Sequence, residues 1–189
     1  MNKMSVDSSS SEHHVSRLLQ ASQDGDIETV RKVIGEGVNV NSKNENGWTA
    51  VMKASSWRHI PIIELLIERK AKVDIQNKYG STALIEACKM GYADVVQVLL
   101  ENNANVDIEN EYGETALLVA SCGGSLPCVK LLLEKGCDIS IKNIYGETAK
   151  QIAKEYRHHD IVKLLTEVRF FFSPVIYVRC RIHSYDRHI

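Results

Sequence analysis

Gly47-Trp48-Thr49-Ala50 is followed, at a constant step of 33 residues, by Gly80-Ser81-Thr82-Ala83, Gly113-Glu114-Thr115-Ala116 and Gly146-Glu147-Thr148-Ala149. The same step carries Ala21 to Ala54, Ala87, Ala120 and Ala153, and Val30 to Ile63, Val96, Val129 and Val162. Leu65-Leu66-Ile67 returns as Val98-Leu99-Leu100 and Leu131-Leu132-Leu133, then as Leu164-Leu165. No insertion breaks the register. A period of this length, held in several columns at once, is the signature of a stack of like units.

One unit, residues 77–107, shows what each part does. Asn77-Lys78-Tyr79-Gly80 is a turn signal, with Gly80 free to take a positive φ. Thr82 stands where a helix begins, and its hydroxyl can satisfy an otherwise unpaired backbone N–H. Ala83-Leu84-Ile85-Glu86-Ala87-Cys88 reads as a short helix whose two alanines, one turn apart, let a neighbour come close. Gly91 ends it. A second helix starts near Asp94 and runs to about Glu101, with Val95, Val96, Val98, Leu99 and Leu100 on more than one face. Helices this short are marginal alone. An all-round apolar second helix must be covered on both sides, so stability comes from neighbouring units and the terminal units act as caps.

These residues resemble the ankyrin repeat, whose pattern is a turn, then G-x-T-P-L-H-x-A-A, then G-H, I-V-x-x-L-L and G-A-x-V-N. The match is fullest at Gly80-Ser81-Thr82-Ala83-Leu84, Ala87, Gly91, Val95-Val96, Leu99-Leu100 and Asn103-Ala104-Asn105-Val106-Asp107, and in the frame from Gly113. The resemblance implies an all-α solenoid of stacked helix-turn-helix repeats with β-hairpin-like fingers projecting from it. Five repeats are expected, near residues 16–43, 44–76, 77–109, 110–142 and 143–168 of a repeat domain spanning 16–168. Residues 1–15 read as a disordered polar tail and 169–189 as an irregular extension.

The departures from the pattern carry expectations. The family's proline is Ala50, Ala83, Ala116 and Ala149, and alanine still starts a helix well. Its histidine is Met52, Ile85, Leu118 and Gln151, where apolar packing should replace a hydrogen bond. Arg58 replaces the glycine before His59, so that interhelix turn should be strained or shaped differently. Pro61 and Pro127 fall in the first turn of second helices, where a missing N–H is harmless.

In the family, partners are met by the finger tips and the concave face of the first helices. Carried onto this chain, the contact residues are Trp48, Trp57, Lys78, Tyr79, Met90, Tyr112, Glu114, Tyr145 and Tyr156. Tyr and Trp are the commonest interface anchors, and Tyr79, Tyr112 and Tyr145 form one column. The alternative for that column is packing of finger on finger. Glu45, Glu111, Glu114, Glu147 and Glu155 give the surface an acidic surround, suited to a protein partner with basic and apolar patches. The resemblance thus implies a protein-protein interaction module that inhibits or sequesters its partner. Replacing Trp48 and Tyr79 together by alanine is expected to weaken binding while leaving thermal unfolding nearly unchanged.

Other function classes find little support. The net charge of −1 gives a nucleic-acid partner no electrostatic footing. No G-x-S-x-G, Walker loop or H-E-x-x-H occurs, so neither catalysis nor a cofactor is expected. The pairs His13-His14 and His158-His159 read as solvated rather than as metal ligands, since adjacent residues do not share a helix face. Five cysteines without a C-x-x-C spacing suit reduced thiols in the cytoplasm or nucleus. The opening residues lack the apolar core of a secretory signal, and Phe170–Val178 is too short to span a membrane. A monomer is expected.

The terminal stretch Phe170–Ile182 leaves the 33-residue register. Three readings of it stay open: an extension laid over the last repeat, an alternative ending to a longer array, or a docking segment. In the last case the chain is an adaptor joining a repeat-bound client to a second partner, such as ubiquitin-ligase machinery. Ile176-x-x-x-Cys180 echoes the Leu-x-x-x-Cys frame of such adaptors, but Ser184 stands where an apolar residue belongs.

Overall fold

The computed structural model describes residues 6–171, and the side-chain surroundings of residues 12–168. The tail beyond Phe171, with the three readings of it, lies outside the described residues. Among the described residues ten helices follow one another: α1 (Val6–Asp24), α2 (Ile27–Gly35), α3 (Ala50–Ser56), α4 (Ile60–Glu68), α5 (Ala83–Met90), α6 (Ala93–Glu101), α7 (Ala116–Cys122), α8 (Leu126–Glu134), α9 (Ala149–Glu155) and α10 (His159–Phe171). They pack as five pairs. The odd-numbered helices lie against one another in one row and the even-numbered helices in a second.

The repeat explains the packing. Ala54, Ala87, Ala120 and Ala153 are all completely buried at equivalent places in the first row. Any longer side chain there would push two helices apart. In the second row Val95, Val96, Leu99 and Leu100 of α6 are buried together, covered from both neighbouring pairs. The core is therefore one continuous column, with no unit enclosing a core of its own.

Backbone bonds tie each unit to the next outside the helices. Asn44, Asn77, Asn110 and Asn143 organise the finger turns. Each side-chain oxygen accepts two backbone N–H groups, as Asn110 does from Tyr112 and Glu114, both at 2.9 Å. Successive fingers then join. Lys78 N–H donates to the Asn46 carbonyl (3.0 Å), Glu111 to Tyr79 (3.0 Å) and Ile144 to Tyr112 (2.9 Å). On another edge, Asp74 accepts from Asn105 N–H and Asp107 from Asp138 N–H, both at 2.9 Å.

Several expectations need correction. Residues 6–15 belong to α1 and not to a disordered tail; Val15 already packs on the core, and Arg17 reaches Glu36 at 3.2 Å. Residues 169–171 continue α10, so the irregular stretch cannot begin at 169. The fingers are hairpin-like as expected, each closed by a backbone bond such as Asn77 N–H to the Ser81 carbonyl (3.0 Å), and among the described residues their one strand-like pairing is an isolated bridge between Lys142 and Thr148. The turn at Arg58 is strained but not differently shaped. Its φ of 60° repeats the left-handed conformation of Gly91 and Gly124 (72° each). Met52, Ile85 and Leu118 are buried in place of the customary histidine, whereas Gln151 is exposed and accepts from Thr148 N–H at 2.8 Å. His158 is half-buried, with Nε2 3.0 Å from the Cys122 carbonyl, and is no solvated turn residue.

Candidate functional site: the finger and first-helix face

The fingers hold their tips in place because the asparagine oxygen caps two N–H groups and glycine takes the left-handed position after the tip. At Gly80 a Cβ would come within 2.9 Å of the Asn110 backbone in the next finger. The tip side chains are thereby turned outward. Tyr79, Tyr112 and Tyr145 are exposed, from 47% at Tyr112 to 74% at Tyr145. Trp57, Met90 and Tyr156, at the ends of the first helices, are exposed as well. Six of the nine residues singled out in the sequence are thus large apolar groups open to solvent. Lys78 is also exposed.

The other two are partly engaged by the fold. Trp48 is half-buried and packs against the core, with Lys53 Nζ 4.7 Å from its ring centre. Glu114 is half-buried, and its Oε2 accepts from Asn110 Nδ2 at 2.9 Å. Each still presents part of its side chain to an open cleft of about 580 Å³ between neighbouring fingers and first helices, where Tyr79 and Tyr112 join them. Lys78, Trp57, Met90, Tyr145 and Tyr156 are not part of that cleft. Tyr156 instead stacks on His158, with ring centres 6.4 Å apart.

Several lining residues escaped the sequence reading, Asn110 and Val119 among them. Ile85 and Glu86, both from α5, line the cleft although both are buried. The signal for Glu86 was in the register: its equivalents are Lys53, Val119 and Ile152, so it is the single acid of its column. Electrostatically the region is negative. Beside Tyr112 the Glu111 carboxylate, through a hydrogen bond and then through its charge, raises the phenol above its ordinary value.

A second cleft, about 810 Å³, opens at the N-terminal end between α1 and the first finger, where no preceding finger fills the space. It is lined mainly by polar groups, among them Gln20, Gln23, Lys43 and Glu45. The buried thiols Cys88 and Cys128 are fully enclosed in the core and reach neither cleft.

Helix pairs at a 33-residue step, finger turns and interlocked neighbours meet a matching family profile, described as ankyrin repeats in three copies, at residues 18–110 and again at 103–171. The chain belongs to the ankyrin repeat family. No curated protein matches it. Ankyrin repeats in general are protein-interaction modules and not catalysts. No helix among the described residues is long and apolar enough to cross a membrane.

Proposed function

We propose that this ankyrin repeat protein binds a partner protein across its fingers and first-helix ends, with Tyr79, Tyr112 and Tyr145 as the principal anchors. One observation carries the reading: three aromatic rings stand exposed on consecutive fingers, whereas most other large apolar groups among the described residues are enclosed. Ordering a tyrosine costs little conformational entropy, and its ring removes much surface from water on contact. Trp57, Met90 and Tyr156 extend the apolar contact, while Glu111, Glu114 and Glu147 favour a partner carrying basic groups. Occupying this face would sequester the partner. The free thiols Cys88, Cys122, Cys128 and Cys137 suit a reducing cytoplasmic or nuclear setting.

The test is an affinity pull-down with the full chain and with a Tyr79→Ala/Tyr112→Ala double variant, read against thermal unfolding. Loss of the captured partner with unchanged unfolding supports the reading. A lowered melting temperature with the partner retained would mark the rings as packing groups. Trp48 is the poorer probe, because its ring packs on the core and its removal is expected to cost stability too.

A further inference from the structure

The Glu86 carboxylate is out of keeping with its surroundings. It is 8% exposed, on the first turn of α5, between Ala83, Ile85 and Ala87. Its Oε1 accepts from Ser81 Oγ at 2.6 Å. Among the described residues nothing donates to Oε2 and no lysine, arginine or histidine pairs with the group. The equivalent cation one repeat earlier, Lys53, is occupied elsewhere, on Gln23 Oε1 (3.0 Å) and over Trp48. Lys89, one turn further on, lines the same cleft without pairing to Glu86. A buried carboxylate without a cation is costly, and such groups are ordinarily paired. The positive end of α5 and the Ser81 hydroxyl ease that cost without supplying a counter-charge.

What surface Glu86 retains opens on the cleft that Trp48, Tyr79 and Tyr112 also line. We infer that this cleft receives a cationic side chain of the partner, an arginine, with Glu86 as its counter-ion. Aromatic faces attract cations, and the planar guanidinium stacks on them while its fork of N–H donors meets a carboxylate oxygen. Lysine, with a compact and strongly hydrated charge, gains less from the same walls. Glu111 and Glu114, on the rim of the same cleft, draw a cation in without being buried with it. This inference rests on the interaction-module reading and names the chemistry of the group that enters.

The experiment titrates the full ¹⁵N-labelled chain with N-acetyl-arginine amide, its neutral isostere N-acetyl-citrulline amide and N-acetyl-lysine amide. Expected is a saturable arginine response confined to Trp48, Tyr79, Glu86 and Tyr112, with citrulline silent and lysine weaker. Glu86→Gln keeps an acceptor for Ser81 and removes the charge, and should weaken arginine binding at least tenfold. Equal responses to arginine and citrulline on the unmodified chain, lysine as tight as arginine, shifts scattered over other surface acids, or a Glu86→Gln protein that binds as before would each overturn the proposal. Should arginine fail to bind while Tyr79→Ala/Tyr112→Ala still loses the captured partner, the arginine site falls and the module reading stands.

Discussion

The imidazole of His158 lies flat against Gly124: a Cβ at Gly124 would sit 2.5 Å from Cε1 of the ring. The same relationship holds between His59 and Gly25, at 2.7 Å. In each pair Nε2 faces a carbonyl 36 residues earlier, Cys122 at 3.0 Å and Gln23 at 2.9 Å. A carbonyl only accepts, so Nε2 carries the proton and donates. The histidine of one interhelix turn thus locks the turn of the preceding repeat, and it can approach only because that turn has a bare α-carbon. Gly91 occupies the equivalent place with Ser125 in front of it, at an uncrowded 3.6 Å. All three glycines have positive φ. Gly91→Ala should therefore cost about 1–2 kcal/mol, from backbone strain alone. Gly124→Ala should cost about 2–4 kcal/mol, since the His158 hydrogen bond is displaced as well. Urea unfolding of the two variants measures the difference.

Arg157 holds the same place in the last turn, with φ of 62°. A non-glycine residue there is strained by about 1–2 kcal/mol. Its side chain is exposed and makes no ion pair among the described residues. Arg157→Gly should stabilise the protein by about 1 kcal/mol, after the added freedom of the unfolded chain is allowed for. Arg58 provides the contrast. It shares the conformation, but its Nε pairs with Asp94 Oδ2 at 2.8 Å and its guanidinium lies 5.8 Å from the Tyr92 ring centre. Arg58→Gly gives up those contacts and should change stability little. Two equal melting shifts would show that the side-chain contacts contribute nothing.

These turns mark what a sequence can and cannot disclose. The 33-residue register placed the helix pairs and the buried alanine column, because equivalent positions in a stack meet equivalent neighbours. It also pointed to the finger tyrosines, since a turn tip in one repeat is a turn tip in the next. It did not reveal that Trp48 is held by the core, because finger residues at the edge of the array lack a preceding finger and pack differently. His158 read as solvated because its acceptor lies on another repeat. Glu86 escaped notice for a different reason: a lone acid on a short helix reads as exposed, and only the structure shows it 8% exposed with Ser81 of its own finger bonded to it.

Two exposed aspartates should govern part of the acid response. Asp26 caps α2, and bonds from Thr29, whose N–H lies at 3.0 Å, lower its pKa. Asp138 is lowered by Ser140, through Oγ at 2.6 Å and N–H at 2.8 Å. For a carboxyl whose folded pKa is depressed, the unfolded chain binds the proton more readily. The stabilisation is therefore complete above the unfolded value, about 3.9, and disappears as pH falls through the folded pKa. A carboxyl ¹³C titration should place both midpoints below the ordinary aspartate value. An Asp26→Asn/Asp138→Asn variant should lose less stability than the parent on acidification below about pH 4. Midpoints at the ordinary value would mean that neither the Asp26 cap bond nor the Asp138 turn bonds survive in solution.

One further column separates hydrogen bonding from mere burial. Ser22, Ser55, Cys88 and Ser121 occupy equivalent positions, and all four are completely buried. Ser22 Oγ donates to the Leu18 carbonyl at 2.7 Å, closing a bond one turn back along α1. Ser55 Oγ and Ser121 Oγ have no partner. A hydroxyl enclosed without a bond costs about 1–3 kcal/mol of lost hydration, whereas a satisfied one contributes about 0.5–1.5 kcal/mol net. The thiol of Cys88 shows the alternative, since it fills the same site as a small apolar group. Ser121→Ala removes the orphan hydroxyl and leaves a smaller gap than the gain it brings, so it should stabilise by about 0.5–1 kcal/mol. Ser22→Ala should destabilise by about the same amount. Opposite signs in chemical denaturation would tie the difference to the hydrogen bond, because the two deletions remove the same atom from equally buried sites. If both variants lost stability equally, Oγ would be acting through packing alone.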